Sequence, residues 1–527
     1  MTANADGRIF RQGALLREIW VPGVILSSVA ILLRIMVASR REGIEVDGIT
    51  YLMNAQAMLQ GWAGVNILHP PLYSMVLALF SGLWSDPEWG ARVISAVAGG
   101  LWVWPTLWLA RETTDERVAW SSGLLVALMP AAVEASTRVL PEALYGLCLT
   151  TLLASFAHAL RTGSLHAASL VGILGGLATL TRPEGMGYLF LAWGLLVLAP
   201  MFIGKHWTMR LALTKILAIT VLWLLVVFPY MLAVKAQTGS LSWSGKIGIT
   251  LHWAESVGQD RPNAFVERVH TETRDEDLRQ GLLAYVMAKP GDVLRRIAIN
   301  LHLMDKYTLP VLLHSGGIAL VMLGIVHLRF RRGQAPPEWF LAMVPLPLAG
   351  LLLFVVEPRY FVPIIPALSI IAGIGLARVG HIEESQNPRR YSMKGMLLLT
   401  FVLLSFLPWI ARPWFRQDPS AVQKASGLWL RQSAGAGTTF LGRYPVIGYY
   451  AEARGIPFAR RSLDDLLIEA RTTGAMFLIV DNVLLPESRP DLLSLVAGDF
   501  ERRGVELAHV EEDRAGHRVV IYRLKEE

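Results

Sequence analysis

A polytopic α-helical membrane protein with an α/β unit at its C-terminal side is the fold class this sequence predicts. Three observations lead there. Of 527 residues, 53% are hydrophobic and 17% charged, and the mean hydropathy is +0.43, which is too apolar for a soluble domain of this length. Apolar stretches of about 17 to 24 residues recur up to residue 412, each long enough to cross a hydrocarbon core as a helix. Beyond residue 412 the pattern changes to short β-type runs alternating with amphipathic ones.

In chain order, apolar spans are predicted near 19–38, 89–110, 118–134, 139–160, 166–182, 186–203, 211–234, 308–328, 338–356, 360–378 and 394–412, about eleven in all. The first is long enough to remain as a helix, and no small-residue cleavage site follows it. The run 71–84 is shorter: some 14 helical residues rise only about 21 Å. Basic clusters fix the sides. Arg8, Arg11 and Arg17, then Lys205 and Arg210, Arg329, Arg331 and Arg332, and Arg389, Arg390 and Lys394 all belong in the cytoplasm by the positive-inside rule. Those assignments agree only if 39–88 stays on the outer side, with 71–84 as a juxtamembrane surface helix.

The same topology puts the N-terminus in the cytoplasm and 235–307 outside. It divides the chain into a membrane domain, 1–412, and an extracytoplasmic α/β domain, 413–527. Strands are expected at 438–442, 475–481, 505–511 and 517–524, with helices near 420–433, 462–472 and 488–500. No repeat period of 20 to 50 residues is present.

The net charge of +7 does not imply nucleic acid, because the basic residues sit in short clusters between apolar spans. Cys148 is the single cysteine, so there is no intrachain disulfide and no thiolate metal cluster. TGSLSWSGKIG lacks the spacing and the strand-to-helix context of a phosphate loop.

Unusual charges gather on the predicted outer face. Asp47, Tyr51 and Asn54 follow one another at helical spacing in the stretch EVDGITYLMNAQAML, so all three can face one cavity. His69 precedes Pro70 and Pro71, which force an extended entry into the 71–84 helix. Arg138 and Glu142 lie in TRVLPEALYGL, Arg182 and Glu184 in LTRPEGMGYLF, and Glu357, Arg359 and Tyr360 in VVEPRYFVPIIPAL. Singly, each is also what a helix cap, a loop residue or an interfacial salt bridge looks like. Together, arginines and a histidine suit a phosphate and carboxylates suit hydroxyls, which describes a sugar-phosphate site. The amphipathic DVLRRIAINLHLM in the long outer connection reads as a surface helix or a lid.

The order D-G-x-x-Y…HPPLY, TRPEG, E-x-R-Y-x-x-P-x-x-P resembles GT-C type glycosyltransferases, the bacterial protein O-mannosyltransferase and lipid A aminoarabinose transferase group, over roughly residues 15–412. The resemblance implies transfer of a sugar from a polyprenyl phosphate, usually undecaprenyl phosphate, to a cell-envelope acceptor on the outer face of a bacterial inner membrane, with inversion. It maps the first-loop acidic residue onto Asp47, as general base or acceptor-positioning group, with Glu142 and Glu184 as second choices. Arg359 and Arg182, then Arg138, are the expected phosphate ligands, since a guanidinium binds two phosphate oxygens. Tyr51 and Tyr360 are expected to hydrogen-bond phosphate or sugar. His69 departs from the aminoarabinose transferases, which resemble K-P where this chain has H-P, and it supplies less charge. No cofactor is expected, and no metal-ligand spacing is present. A transporter, a surface-polysaccharide ligase or polymerase using a lipid diphosphate, and a non-catalytic assembly subunit are the alternative readings.

Overall fold

The computed structural model describes residues 3–202, 207–246, 250–251, 253–257, 282–328, 338–379, 393–415, 418–442, 444–457, 463–498 and 504–525. Among these, seven helical stretches are long and apolar enough to cross a membrane: Trp20–Ala38, Pro87–Thr113, Glu142–Thr162, Met209–Thr238, Pro290–Val326, Pro358–Val379 and Met393–Ala434. The protein is a multi-pass membrane protein. The predicted spans 118–134, 166–182, 186–203 and 338–356 fall on shorter or interrupted helices. The 71–84 run contains the nine-residue helix Leu72–Phe80, shorter than a crossing requires. Of the basic residues used to orient the chain, Lys205, Arg329, Arg331, Arg332, Arg389, Arg390 and the side chains of Arg8, Arg11 and Arg17 lie outside the described residues.

Prolines account for the interruptions, and buried polar side chains satisfy the backbone they free. Glu116–Leu128 ends just ahead of Pro130. There the fully buried Arg34 donates to the carbonyls of Val126 at 3.1 Å and Ala127 at 2.8 Å, which have no intrahelical partner at a helix end. The predicted span 338–356 is not a regular α-helix. It is a short turn of helix, Trp339–Met343, followed by the 3-10 helix Leu346–Leu353, because Pro345 and Pro347 withdraw two backbone donors. Asn300 donates to the carbonyls of Leu352 and Phe354, both at 2.9 Å, and Arg296 to that of Leu353 at 3.1 Å.

Asn300 and Arg296 belong to DVLRRIAINLHLM, which is helical, with most of its residues exposed or half-buried. Helix Pro290–Leu303 continues through a π-turn, Met304–Thr308, into helix Leu309–Val326. That helix kinks at His314, held at φ 58° and ψ 165°, in the region where a side chain strains the backbone.

Bundle helices meet at backbone contact where glycines allow it. A Cβ on Gly324 would lie 1.9 Å from the Ile371 carbonyl oxygen, and one on Gly375 would lie 2.7 Å from the Gly324 nitrogen. This is the small-residue packing that membrane helices use.

The C-terminal residues form a five-stranded sheet in the order β2-β1-β3-β5-β4, where β1 is Thr439–Leu441, β2 Arg454–Ile456, β3 Phe477–Asp481, β4 Val505–Glu512 and β5 Arg518–Leu524. β1 pairs in parallel with β2 and β3, and β5 runs antiparallel to β3 and β4. All five residues of β3 are buried, as a strand covered on both faces requires. β2 and the helix Pro445–Ala451 are additional to the expected elements.

This unit docks onto the segment that follows the first membrane-crossing helix. Val446 packs in one apolar cluster with Ile44, Ile49, Tyr51 and Tyr73. Glu88, 4% exposed, accepts from Arg92 at 2.5 Å, Lys424 at 2.8 Å and Tyr450 at 2.6 Å. A buried carboxylate is tolerated when it is paired and hydrogen-bonded in this way.

The close crossing yields a direct test. Gly324→Val should cost about 1–3 kcal/mol by overpacking, read as a lower thermal unfolding midpoint in detergent. Gly350→Val, where a Cβ meets nothing within 4 Å, should leave the midpoint unchanged.

Candidate active site

The loop after the first membrane-crossing helix presents its carboxylate at the start of helix Val46–Leu59, where Asp47 sits in the first turn and complements the helix dipole. Gly48 lets this turn lie against the next loop, since a Cβ there would be 2.8 Å from the Val139 oxygen. One turn on, the buried Tyr51 ring meets His69 edge-on at 5.2 Å and Tyr73 at 5.2 Å. This places His69 beside Asp47, with Nε2 3.6 Å from Oδ1, an ion-pair distance rather than a formed hydrogen bond. Neither ring nitrogen of His69 hydrogen-bonds within the protein. Asn54 does not face the cluster. Its amide donates to the Asn66 carbonyl at 3.0 Å and accepts from the Asn66 N–H at 2.8 Å, which anchors the loop ahead of His69.

Across from Asp47, Pro358 opens the helix that carries Arg359 and Tyr360. Arg359 uses its whole fork: Nη1 donates to Asp47 Oδ2 at 2.9 Å, Nε to Glu357 Oε2 at 2.7 Å and Nη2 to the Tyr360 hydroxyl at 3.3 Å. Arg182 approaches from the end of helix Leu165–Thr181, which Pro183 terminates. Its guanidinium donates to Glu142 Oε1 at 2.8 Å and to Glu184 Oε1 at 3.2 Å. The ring of Tyr360 lies beside both arginines, 4.7 Å from the Arg182 guanidinium carbon and 5.1 Å from that of Arg359. Glu142 is 1% exposed, and its Oε2 makes no hydrogen bond within the protein.

The structure therefore brings Asp47, Tyr51, His69, Glu142, Arg182, Glu184, Arg359 and Tyr360 into one cluster. Arg138 stands apart, with Nε 3.3 Å from Glu45 Oε1 and Nη2 donating to Glu134. Lys246 joins electrostatically. Its loop packs against Ile67, 3.2 Å from where a Gly245 Cβ would stand, and its ammonium acts on both Asp47 and Glu184. The sequence marks Lys246 only as one cation in a Gly/Ser-rich stretch.

Charge balance holds the carboxylates ionised. Burial alone raises the Asp47 carboxyl, but His69, Arg359 and Lys246 outweigh it and hold it well below the usual carboxylate range. Glu184 is likewise lowered against burial, by Arg182. Lys246 is lowered, first by burial and then by Arg182 and Arg359, against the pull of Asp47. Among the described residues no three His, Cys, Asp or Glu side chains converge as a metal site. The cluster thus sets two guanidinium groups among carboxylates, with Glu142 Oε2 the carboxylate oxygen that makes no hydrogen bond within the protein.

The family described as dolichyl-phosphate-mannose-protein mannosyltransferase matches residues 68–232. No curated protein matches. Among solved structures, the archaeal oligosaccharyltransferase AglB from Archaeoglobus fulgidus, in complex with an inhibitory peptide and a dolichol-phosphate, is similar at a TM-score of 0.59 and 14% identity, over 90% of this chain and 70% of that one. ArnT from Cupriavidus metallidurans bound to undecaprenyl phosphate is similar at 0.52 and 15% identity, over 95% and 98%. ArnT in the apo state is similar at 0.56 and 14% identity, over 95% and 97%. At these identities the likeness is one of architecture: the protein has the GT-C glycosyltransferase fold.

Proposed function

We propose that the protein transfers a sugar from a polyprenyl phosphate to a hydroxyl-bearing cell-envelope acceptor, at the outer face of a bacterial inner membrane. One observation carries this reading: Arg182 and Arg359 converge beside Asp47, His69 and Glu142 at one end of an apolar bundle. Polyprenyl phosphate, the lipid that the ArnT structure binds, is the donor form that a membrane-edge guanidinium site suits.

In the proposed reaction the acceptor oxygen attacks the anomeric carbon on the face opposite the phosphate. The bond between that carbon and the phosphate oxygen breaks, and the phosphate departs on its lipid. Arg359 and Arg182 stabilise the charge that develops on the leaving oxygens. Asp47 positions the acceptor hydroxyl and takes its proton. While paired with Arg359, Asp47 is a weak base. A donor phosphate that draws the Arg359 fork to itself loosens that pair and raises the basicity of Asp47 as the donor arrives. Glu142, with one buried oxygen unengaged, is placed to accept from a sugar hydroxyl.

A lipid-diphosphate donor is the second reading, favoured by the two guanidinium groups flanking Tyr360. Reconstitution in liposomes with radiolabelled undecaprenyl-phosphate and undecaprenyl-diphosphate sugars and an envelope extract separates the two. Transfer only from the diphosphate would overturn the monophosphate reading, and transfer from neither by folded protein would overturn both.

Asp47→Asn should lower kcat by about 10²- to 10⁴-fold, the usual range for loss of a general base, with the protein still folded by size exclusion. If the rate holds, the proton goes elsewhere and Glu142→Gln is the next variant. The pH profile gives an independent check. Because Asp47 is held ionised far down the scale, wild-type kcat/KM should show no acid limb from Asp47 between about pH 5 and 7. Arg359→Gln removes a neighbouring cation, so the Asp47 pKa rises and the acid limb of the residual activity moves to higher pH. An unmoved limb would separate the two residues functionally.

A further inference from the structure

A cavity of about 1130 Å³ lies between the bundle and the C-terminal unit and shares no lining residue with the Asp47 cluster. One wall is apolar, with Val37, Val311 and Ile410 contributed by three of the membrane-crossing stretches. Trp409 and Trp414 stand with them, where amphipathic rings mark a membrane–water interface. The rim is basic. Arg40 lies 5.9 Å from the Trp414 ring and Arg412 5.8 Å from that of Trp409, while Arg514 comes from the turn between β4 and β5. Among the described residues none of these three enters an ion pair. Three carboxylates share the lining with five arginines: Glu42, Glu134, which is held by Arg138 and faced by Arg41, and Asp418, which caps the next helix by accepting from the Ser420 N–H and hydroxyl.

His314 lines the same cavity. It is 7% exposed, and neither ring nitrogen hydrogen-bonds within the protein. The ring is held edge-on against Trp409 at 4.6 Å and Phe406 at 5.8 Å, on a backbone strained to φ 58°. A buried imidazole left without partners, at a kink in an otherwise apolar helix, calls for a polar ligand atom.

We infer that this cavity binds the phosphate headgroup of an anionic bilayer lipid, which does not react, at a site separate from the Asp47 centre. Arg40, Arg412 and Arg514 meet the phosphate oxygens, His314 donates to an ester or phosphate oxygen, and the apolar wall receives the first methylenes of the chains. The apolar wall and the tryptophans favour a lipid over free phosphate, which needs neither.

The full-length protein in detergent, doped equally with dioleoyl-phosphatidylglycerol and dioleoyl-phosphatidylcholine, is examined by native mass spectrometry for retained lipid. Wild type should retain phosphatidylglycerol at least tenfold over phosphatidylcholine. R412Q/R514Q, two exposed positions outside the reacting cluster, should lose that preference with an unchanged unfolding midpoint, and His314→Phe should lower retention at least threefold while keeping the stacking. Asp47→Asn should retain phosphatidylglycerol as wild type does. Equal retention of the two lipids, or an R412Q/R514Q protein that still prefers phosphatidylglycerol, overturns the inference. A thermal shift from inorganic phosphate alone, without one from phosphatidylglycerol, would keep the anion site and overturn its assignment to a lipid.

Discussion

The ion pair between Asp47 and Arg359, 312 residues apart in sequence, is the constraint on which the site depends. A carboxylate at the edge of an apolar bundle stays charged only beside cations, and a guanidinium there needs oxygens for its donors. Each satisfies the other, and so the loop carrying Asp47 is tied to the start of helix Pro358–Val379. Arg182 repeats the device with Glu142 and Glu184. Tyr360 packs beside both arginines, which makes two ion-pair groups into one surface.

Irregular backbone is what gives the bundle room for such a surface. Helices that ran uninterrupted would carry their polar groups inside their own hydrogen-bond ladders. Proline breaks at Pro130, Pro183 and Pro345 free backbone or shorten helices, and Arg34, Arg296 and Asn300 are spent on the carbonyls so released. Buried charge in this protein thus has several uses. Some of it repairs broken helices, some, around Glu88, holds the C-terminal unit, and some gathers at the Asp47 cluster.

Much of this was legible in the sequence, for identifiable reasons. Apolar runs exposed the long helices because a bilayer imposes length and composition. Asp47, His69, Arg182 and Arg359 stood out because charges at span ends are costly. Lys246 did not, since a cation in a polar loop costs nothing to place and its approach to Asp47 depends on how that loop packs on Ile67. Arg138 was grouped with the cluster by its nearness to Glu142 in sequence. Arg138 lies in the turn between helices Pro130–Ala135 and Glu142–Thr162, where helical spacing does not bring it to Glu142, and it turns to Glu45 and Glu134. Asn54 kept helical register with Asp47 and Tyr51 but was taken by the Asn66 backbone. The apolar content of the 338–356 stretch did not reveal its irregular backbone, which its two prolines impose.

Glu88 bears on the order in which the protein is made. It lies in the first quarter of the chain, and two of its three partners, Lys424 and Tyr450, lie in the last. During synthesis the ribosome delivers Glu88 and Arg92 hundreds of residues before either partner exists. The apolar contact of Val446 with Ile49 and Tyr51 is equally late. The helix bearing Asp47 therefore gains its final support only when translation is nearly over, and a chain that stops short of the sheet inserts as a bundle whose Asp47 loop is still unbraced.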